Sequence, residues 1–436
     1  MVGWPSSFRR GKGENSTSYL PIVRVKLAGG IRELVEDYDV LIVGAGLGGL
    51  ALGCALVSNG RKVCLLEARP GVTRSKRGLT LQPNGLAAVR KLGLLDRVAR
   101  IGSKTATIAW HEIGKKPLAT LDYSILDHPH NHLLTVVPSD LELVLREAFS
   151  SRGGIICEST SFRDILSNRS ERVLVEAERN GSPVMFSGRI IVGADGENSR
   201  VRQALGIPAR VKKYPDHFLL MLAGPVASLQ LEARQYVARG NMAGFFPTRD
   251  STYIFYYLPN RTVAEFKLRG IESFKKQLAE IEPDVSDSLS NLGSWGDVAG
   301  VSARRVDVKS WVSDRAALLG DAVHALDPSW AQGANLSLQD ALALTNTIER
   351  CFELNDFTAA KLKDYEKERR KQTEFVQNQA ERTALFTTTE SRFYYWLGKR
   401  VLQRTGRSKT LMRTALQASC GLTDHFSLRE KIRFIT

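Results

Sequence analysis

Three glycines and a glutamate near the start of the chain have the types and spacing of a phosphate-binding turn. Gly44, Gly46 and Gly49 follow an apolar run at residues 40–43, and Glu67 lies eighteen residues after Gly49. The first glycine permits a tight turn, the second lets the backbone approach a pyrophosphate, and the third lets a helix pack closely. A carboxylate at this spacing can reach a ribose hydroxyl. The pattern therefore predicts a site for the pyrophosphate and ribose of a dinucleotide.

The segments around these residues have the patterns that such a site needs. The run at 40–43 is typical of a buried strand, a helix-like stretch follows the glycines, and a second apolar strand is predicted at 63–66. The N-terminus of the helix would offer unpaired N–H groups and partial positive charge to phosphates. The glycine pattern is common by itself, but strand, helix and acid agree here, which favours a ligand site over an incidental turn.

Two later segments repeat the arrangement of an apolar strand followed by a glycine and an aspartate. The first strand, 190–192, precedes Asp195, and the second, 317–319, precedes Asp321. Open α/β sheets bind ligands outside the carboxyl ends of their strands, so both carboxylates could accept hydrogen bonds from sugar hydroxyls. Helical periodicity from Asn335 places a helix N-terminus close to the second aspartate.

These three motifs, with the sequences E-A-R at 67–69 and K-R-G-L-T-L-Q-P-N-G at 76–85, occur in an order that resembles one enzyme family. The chain is similar, over about residues 37–382, to the FAD-dependent aromatic-ring hydroxylases. These are single-component flavin monooxygenases of the para-hydroxybenzoate hydroxylase type, and they include ubiquinone-pathway-type hydroxylases. Three motifs in the family's order and rough spacing make the resemblance specific.

The resemblance implies an α/β fold: a Rossmann-like FAD-binding domain of the glutathione reductase type, an inserted antiparallel-sheet substrate domain and a C-terminal helical region. Changes in the residue pattern divide the chain into a basic N-terminal extension (1–36), a discontinuous FAD-binding domain (37–103, 136–207 and 301–382), a substrate domain (104–135 and 208–300) and a basic helical C-terminal region (383–436). The extension is interpreted as a flexible arm, with an organelle-targeting segment as the alternative.

The resemblance also implies which residues bind the cofactor. The aspartate matching Asp321 contacts the ribityl chain of FAD in the family, and the backbone amides of residues 333–335 lie near the flavin ring. The expected FAD-binding residues are Gly44, Gly46, Gly48, Gly49, Glu67, Ala68, Arg69, Arg77, Gly78, Asp195, Gly320, Asp321, Pro328, Gly333, Ala334 and Asn335.

The implied chemistry is carried by the cofactor. NADPH or NADH would reduce FAD, and the reduced flavin would take up O₂ as a C4a-hydroperoxide that hydroxylates or epoxidises an aromatic or prenylated substrate. The sequence assigns no catalytic side chain. Tyr253, Tyr256, His111 and His217 are candidates by residue type alone. His324 is interpreted as part of the cofactor surroundings.

Two positions depart from the family pattern. Pro138 stands where members commonly carry an arginine that contacts FAD, and Ala331 replaces the first glycine of the usual Gly-Gln-Gly. Proline has neither charge nor N–H, and alanine has less backbone freedom than glycine. These changes leave open a catalytically silent FAD-binding partner protein. The segment 253–259 loosely resembles that of isoprenoid reductases of the geranylgeranyl type, which is a second alternative.

Composition limits the remaining classes. The chain has 436 residues, of which 43% are hydrophobic, and no apolar run reaches the ~18 residues of a membrane span. Its five cysteines lack C-x-x-C spacing, which favours buried thiols in a cytosolic protein over a metal site or disulfides. The formal net charge of +15 is concentrated partly in the C-terminal region. No recognition motif accompanies that charge, so nucleic-acid binding is not expected.

The C-terminal region combines aromatic and basic residues at helical spacing. Phe393, Trp396 and Leu397 lie beside Lys399 and Arg400. Such a helix can lie on an anionic membrane as a peripheral contact. Alternatively, it is a helical cap that packs on the FAD-binding domain with a solvated basic face.

Overall fold

The computed structural model describes residues 22–27, 30–114, 117–167, 171–259 and 263–435. The strands, in chain order, are β1 (Ile22–Leu27), β2 (Gly30–Val43), β3 (Val63–Leu66), β4 (Leu79–Leu81), β5 (Gly102–Thr105), β6 (Thr107–Glu112), β7 (Pro117–Asp122), β8 (Leu133–Val136), β9 (Ile155–Cys157), β10 (Thr160–Ser167), β11 (Val173–Arg179), β12 (Ser182–Gly193), β13 (Ala209–Ala223), β14 (Glu232–Ala238), β15 (Asn241–Pro247), β16 (Thr252–Leu258), β17 (Ala299–Val308), β18 (Val312–Ser313) and β19 (Ala316–Leu318).

The helices alternate with these strands and then dominate the C-terminal part. They are α1 (Leu47–Ser58), α2 (Pro83–Lys91), α3 (Leu95–Arg100), α4 (Pro138–Ser151), α5 (Arg200–Ala204), α6 (Val263–Lys267), α7 (Ile271–Ile281), α8 (Asp321–His324), α9 (Gly333–Leu354), α10 (Ala359–Thr387), α11 (Arg392–Arg407), α12 (Lys409–Ser419) and α13 (Leu428–Ile435).

The first sheet has a parallel centre in the order β9–β3–β2–β12–β19, with β11 and β10 added antiparallel to the first half of β12. Its central strands are buried on both faces, which is why they are near-continuous apolar runs. Helix α1 packs between α4 and α9. The glycine turn follows β2, and Asp195 and Asp321 follow β12 and β19 in the sequence. All three motifs therefore meet at one edge of the sheet.

The second sheet has the order β17–β13–β16–β15–β14–β6–β7 and is antiparallel except for the β14–β6 pair. Side chains on β16 alternate between its faces: Ile254 and Tyr256 pack in a core with Phe266 and Phe274. The opposite face carries Tyr253. This is the antiparallel sheet that the sequence predicts beside the Rossmann-like unit, and with the C-terminal helices it confirms the fold class.

Three predicted boundaries differ from the described elements. The boundary between residues 300 and 301 falls inside β17, which continues to Val308 in the second sheet. The boundary at 382/383 falls inside α10. Residues 22–27 and 30–36, predicted as part of a flexible arm, lie in β1 and the start of β2, which pair antiparallel. The apolar–basic alternation of I-V-R-V-K-L at 22–27 accounts for this strand; residues 1–21 lie outside the described residues.

The five cysteines are buried and none forms a disulfide.

Across the described part of the chain, no helix is both long enough and apolar enough to cross a membrane.

Candidate active site

A cavity of about 1140 Å³ lies between the edge of the first sheet that carries the three motifs and one face of the second sheet. Its walls come from the glycine turn, the loop and helix start at residues 328–334, strand residues of the second sheet, and α11. Single small-molecule pockets usually measure ~300–1,000 Å³. The cavity is therefore large enough for a cofactor and an organic molecule together.

The glycine turn is shaped for a ligand. Gly44 has φ +104°, and a Cβ there would lie 2.5 Å from the carbonyl oxygen of Ala194; a Cβ at Gly49 would overlap the carbonyl oxygen of Gly44. At Gly46, by contrast, a Cβ would meet nothing within 4 Å, and this residue borders the cavity at the N-terminus of α1. Close packing explains why Gly44 and Gly49 are glycines. The open space at Gly46 fits an approaching pyrophosphate.

Glu67 lies behind the cavity wall. Its carboxylate accepts hydrogen bonds from the backbone N–H of Ala45 at 2.8 Å and of Arg69 at 2.9 Å, and from Arg69 Nε at 3.0 Å. Burial opposes ionisation, but the Arg69 and Ala45 hydrogen bonds outweigh it and lower the pKa of Glu67. Arg69 lines the cavity and also donates to Glu142 at 2.9 Å. Neither Glu67 nor Ala68 is among the lining residues.

Asp195 has a structural role at the end of β12. Its Oδ2 accepts the backbone N–H groups of Arg200 at 2.7 Å and Val201 at 3.1 Å, so it caps the start of α5. The lining residues of this segment are its neighbours Gly196 and Glu197. The backbone of the turn, rather than the predicted carboxylate, faces the cavity.

Asp321 presents its carboxylate to the cavity. It follows Gly320, which has φ +63° and no room for a Cβ beside Ser337. Among the described residues, no donor hydrogen-bonds to the Asp321 side chain. The Asp321 side chain is accessible from the cavity, but the cavity itself is surrounded by protein. This burial raises the pKa of Asp321. An acceptor without a partner at this position fits a sugar or ribityl hydroxyl.

A buried charged network supports the turn at Gly320. Asp340 Oδ2 lies 2.5 Å from His324 Nε2 and accepts the N–H of Gly320 at 3.2 Å, while Oδ1 accepts Arg369 Nε at 2.8 Å. Burial opposes the charge of Asp340, but His324 and Arg369 lower its pKa. This agrees with the interpretation of His324 as cofactor surroundings. Asp340 and Arg369 are functional residues that the sequence pattern did not predict, although an aspartate within the apolar stripe of α9 indicates a buried charge.

The first residues of α9 have two kinds of surroundings: two line the cavity and the third is buried in the protein. Gly333 and Ala334 line the cavity at the helix N-terminus. Asn335 is fully buried instead, where its side chain accepts the N–H of Gln82 at 3.0 Å and donates to the carbonyl of Thr80 at 3.1 Å. Asn335 therefore ties α9 to β4 and is not among the lining residues.

The two departures from the family pattern both border the cavity. Pro138 is the first residue of α4, and Ala331 has φ +50°, a left-handed conformation that costs a non-glycine residue ~1–2 kcal/mol. The Ala331 N–H donates to the carbonyl of Pro328 at 2.7 Å, which helps to hold this conformation. Arg77 also borders the cavity, and His324 and Arg77 both oppose the effect of burial on the pKa of Asp321.

One of the four catalytic candidates lines the cavity. Tyr253 packs against Gly78 there, and burial raises its pKa. Tyr256 Oη accepts a hydrogen bond from Gln277 at 2.7 Å in the core behind the sheet. His111 stacks on Tyr236 at 5.0 Å, and His217 Nδ1 lies 2.7 Å from the hydroxyl of Ser302, a lining residue. Neither histidine itself lines the cavity.

Helix α11 closes the cavity with one face. Leu397 and Val401 line it, and Lys399 Nζ lies 2.9 Å from Oε1 of Glu112 on β6. Helix α11 packs on β7 of the second sheet as well as on α10, whereas the predicted cap was to pack on the FAD-binding domain. On another face of the helix, Phe393 and Trp396 are 62% and 50% exposed. The sequence grouped these two residues with Leu397, but Leu397 lines the cavity whereas the two aromatic residues are exposed.

Comparisons with known proteins agree with this geometry. The model of the FAD binding domain family matches residues 37–407. The chain is 28% identical over 310 residues to 6-methylpretetramide 4-monooxygenase of Streptomyces rimosus, covering 70% of this chain and 73% of that protein. It is 27% identical over 379 residues to 6-hydroxynicotinate 3-monooxygenase of Bordetella bronchiseptica, covering 81% and 93%.

A solved structure shows the same fold. The crystal structure of p-nitrophenol 4-monooxygenase from Pseudomonas putida superposes with a TM-score of 0.79 at 19% identity and covers 90% of this chain and all of that one. The relatives support a hydroxylase rather than the isoprenoid reductase that residues 253–259 left open. The family model covers most of the chain, and the glycine turn and the Gly320–Asp321 turn open on one cavity. This chain therefore belongs to the FAD-dependent aromatic-ring hydroxylases of the para-hydroxybenzoate hydroxylase type.

Proposed function

We propose that this FAD-dependent monooxygenase uses NADPH or NADH and O₂ to oxygenate an aromatic or prenylated molecule bound against the second sheet. The observation that carries the proposal is the single cavity of about 1140 Å³, which joins the glycine turn to an aromatic wall containing Tyr253 and Phe255. The named relatives act on aromatic molecules, including 6-methylpretetramide and 6-hydroxynicotinate. When bound, FAD supplies the electron transfer and the activation of O₂.

The chain's own residues would bind and orient the cofactor. Gly46 and the α1 N-terminus would meet the pyrophosphate, Arg69 would add positive charge, and Asp321 would accept a ribityl hydroxyl. The N-terminus of α9 at Gly333 offers backbone N–H groups and a partial positive charge, which favour negative charge on a reduced ring. The apolar wall and α11 would exclude water from the reacting end.

Whether NADPH or NADH reduces the flavin can be tested by mixing either one anaerobically with the purified yellow protein. Bleaching of the flavin absorbance by either one supports the proposal, and no bleaching by both rejects it. The described residues contain one glycine fingerprint after a strand, so we expect the nicotinamide cofactor to bind transiently rather than in a Rossmann unit of its own.

Asp321→Ala should weaken FAD binding by ~1–3 kcal/mol, which is a loss of about 5- to 150-fold, because a hydroxyl of the cofactor loses its acceptor. The measurement is the dissociation constant of FAD from the refolded or dialysed apoprotein. Asp321→Asn keeps one acceptor oxygen and should lose less. Unchanged affinity in the alanine variant would show that this carboxylate does not contact FAD.

We also propose that the exposed face of α11 contacts anionic lipid. Phe393 and Trp396 are exposed, and the Arg400 guanidinium lies 5.2 Å from the centre of the Trp396 ring. Exposed aromatic residues beside basic ones favour the interface of an anionic bilayer. The surface lies on the reverse of a cavity wall, so lipid contact would leave the FAD site unchanged.

The test is co-sedimentation with phosphatidylserine-containing liposomes. The full chain should sediment at low salt and less at high salt, while Trp396→Glu/Arg400→Glu should stay in solution with its FAD. Leu231→Glu/Arg210→Glu is a matched control, because it makes the same change in charge at an exposed apolar residue and an exposed arginine away from α11. If the full chain stays in solution at low salt, α11 is a cap and nothing more.

A further inference from the structure

The face of the second sheet that borders the cavity is almost entirely apolar. Lining residues from its strands include Ile108, Phe218, Leu220, Val237, Met242 and Phe246. On β13, β16, β15, β14, β6 and β7, the polar groups among the described lining residues are the Tyr253 hydroxyl, the Trp110 indole N–H and the Gln235 amide. Tyr253 lies at the cofactor end against Gly78. On β17, the Ser302 hydroxyl pairs with His217 and Arg304 pairs with Glu197. Gln235 and Trp110 therefore supply the remaining polar groups of this face among the described lining residues.

Gln235 and Trp110 are neighbours with unused hydrogen-bonding capacity. They lie opposite each other on the parallel strands β14 and β6. Gln235 is 9% exposed, and neither its side-chain oxygen nor the indole N–H of Trp110 has a partner among the described residues. A buried polar group without a partner destabilises the folded protein, so such pairs are uncommon without a ligand or water.

The position of Gln235 favours a ligand. Gln235 is in register with Gly244 on β15, which is in register with Phe255 on β16. The amide therefore lies beside apolar residues on the same face of the sheet. Because Gln235 lines the cavity, rotation of the amide can present either its oxygen or its NH₂ group to the lumen. An acceptor beside an N–H donor complements a hydroxyl, which donates to one group and accepts from the other.

The charges around the cavity do not complement a carboxylate on this face. Arg69 and Arg304 lie at the cofactor end and pair with Glu67 and Glu197. Lys399 pairs with Glu112. Arg77 precedes β4 and lies near Asp321 and Tyr253 at the cofactor end, and Arg382 is exposed on α10. An ionised group held at Gln235 would lose its hydration without gaining a cationic partner.

We propose that the substrate is a neutral hydroxylated aromatic and that Gln235 determines this specificity by hydrogen-bonding its hydroxyl, with carboxylates disfavoured. The inference deepens the proposed function, because it takes the apolar sheet face as the substrate site. It assigns Gln235 to recognition and positioning, and it assigns no proton transfer to this residue.

The experiment measures equilibrium binding to the FAD-loaded protein without NAD(P)H, by perturbation of the flavin absorbance. The probes are 2-naphthol, 2-naphthoate and 2-methylnaphthalene at pH 7, where the phenol is neutral and the carboxylate is ionised. They share one ring system and differ in a single group. We expect 2-naphthol to bind about 10-fold more tightly than 2-methylnaphthalene, as one net hydrogen bond would give, and 2-naphthoate to bind most weakly.

Gln235→Leu should abolish the preference for naphthol over methylnaphthalene while keeping the FAD content and thermal stability of the parent. Gln277→Leu is the matched control, since its side chain hydrogen-bonds Tyr256 in the core behind the sheet; it should keep the preference. A naphthoate affinity equal to that of naphthol, an unchanged preference in Gln235→Leu, or no binding of any probe would overturn the inference. If the proposed function fails instead, NAD(P)H oxidation and O₂ uptake are absent while this binding preference remains.

Discussion

Gly46→Val should yield a folded protein that contains almost no FAD. The residue has φ −72° and ψ 175°, a conformation that valine can adopt, and a Cβ there meets nothing within 4 Å. The added Cβ therefore meets no protein atom, and the backbone conformation suits valine. Its branched side chain would instead occupy the space in front of the α1 N-terminus, where the pyrophosphate must approach.

The measurement is the ratio of flavin to protein after purification, with circular dichroism as the check on folding. Gly71→Val is the matched control, because a Cβ at Gly71 also meets nothing within 4 Å and that position does not line the cavity. We expect full FAD content in the control. Normal flavin content in folded Gly46→Val would mean that the pyrophosphate does not pass the glycine turn.

Asp340→Ala should destabilise the protein by ~3–5 kcal/mol, the usual cost of removing one partner from a buried ion pair. Arg369, at 5% exposure, and His324, at 1%, would both lose the carboxylate that contacts them. The Gly320 N–H would also lose its acceptor, so the turn that presents Asp321 should loosen and FAD should bind more weakly.

The free energy of unfolding should be measured in urea on FAD-free samples, so that cofactor loss does not count as instability. Asp340→Asn keeps hydrogen-bonding groups and should be less destabilised than the alanine variant. Asp364→Ala on α10 is the control, since its pair with Lys367 lies at the surface and should matter little. Equal stability of Asp340→Ala and the parent would mean that the network does not support the turn.

Local sequence predicted the parts of the site that depend on local spacing. The strand, glycine turn and helix around Gly46 follow from residues within about one supersecondary unit, and the Gly320–Asp321 turn follows its own strand. Glycines are informative because few other residues fit positions such as Gly44, where the packing is close and φ is positive. Tyr253 and Tyr256 lie on opposite faces of β16, as the alternation of side chains along a strand requires.

Contacts between distant segments could not be predicted in this way. Asp195 has the expected spacing, yet its carboxylate caps α5, and a single sequence does not distinguish a capping aspartate from a ligand-binding one. Asp340 and Arg369 meet because α9 packs on α10. Gln235 is one polar residue in an ordinary strand, and it becomes notable only when its neighbours across the sheet are known. An amphipathic pattern also does not reveal that one face of α11 borders a cavity.

The measurement that tests the central claim most directly is simultaneous recording of NAD(P)H oxidation and O₂ uptake by the FAD-loaded protein in the presence of 2-naphthol. A monooxygenase consumes the reductant and O₂ together, so we predict equal molar amounts of both. Oxidation of NAD(P)H without O₂ uptake would indicate a reductase. Consumption of neither by the yellow protein, with either nicotinamide cofactor, would contradict the account and indicate an FAD-binding protein without this activity.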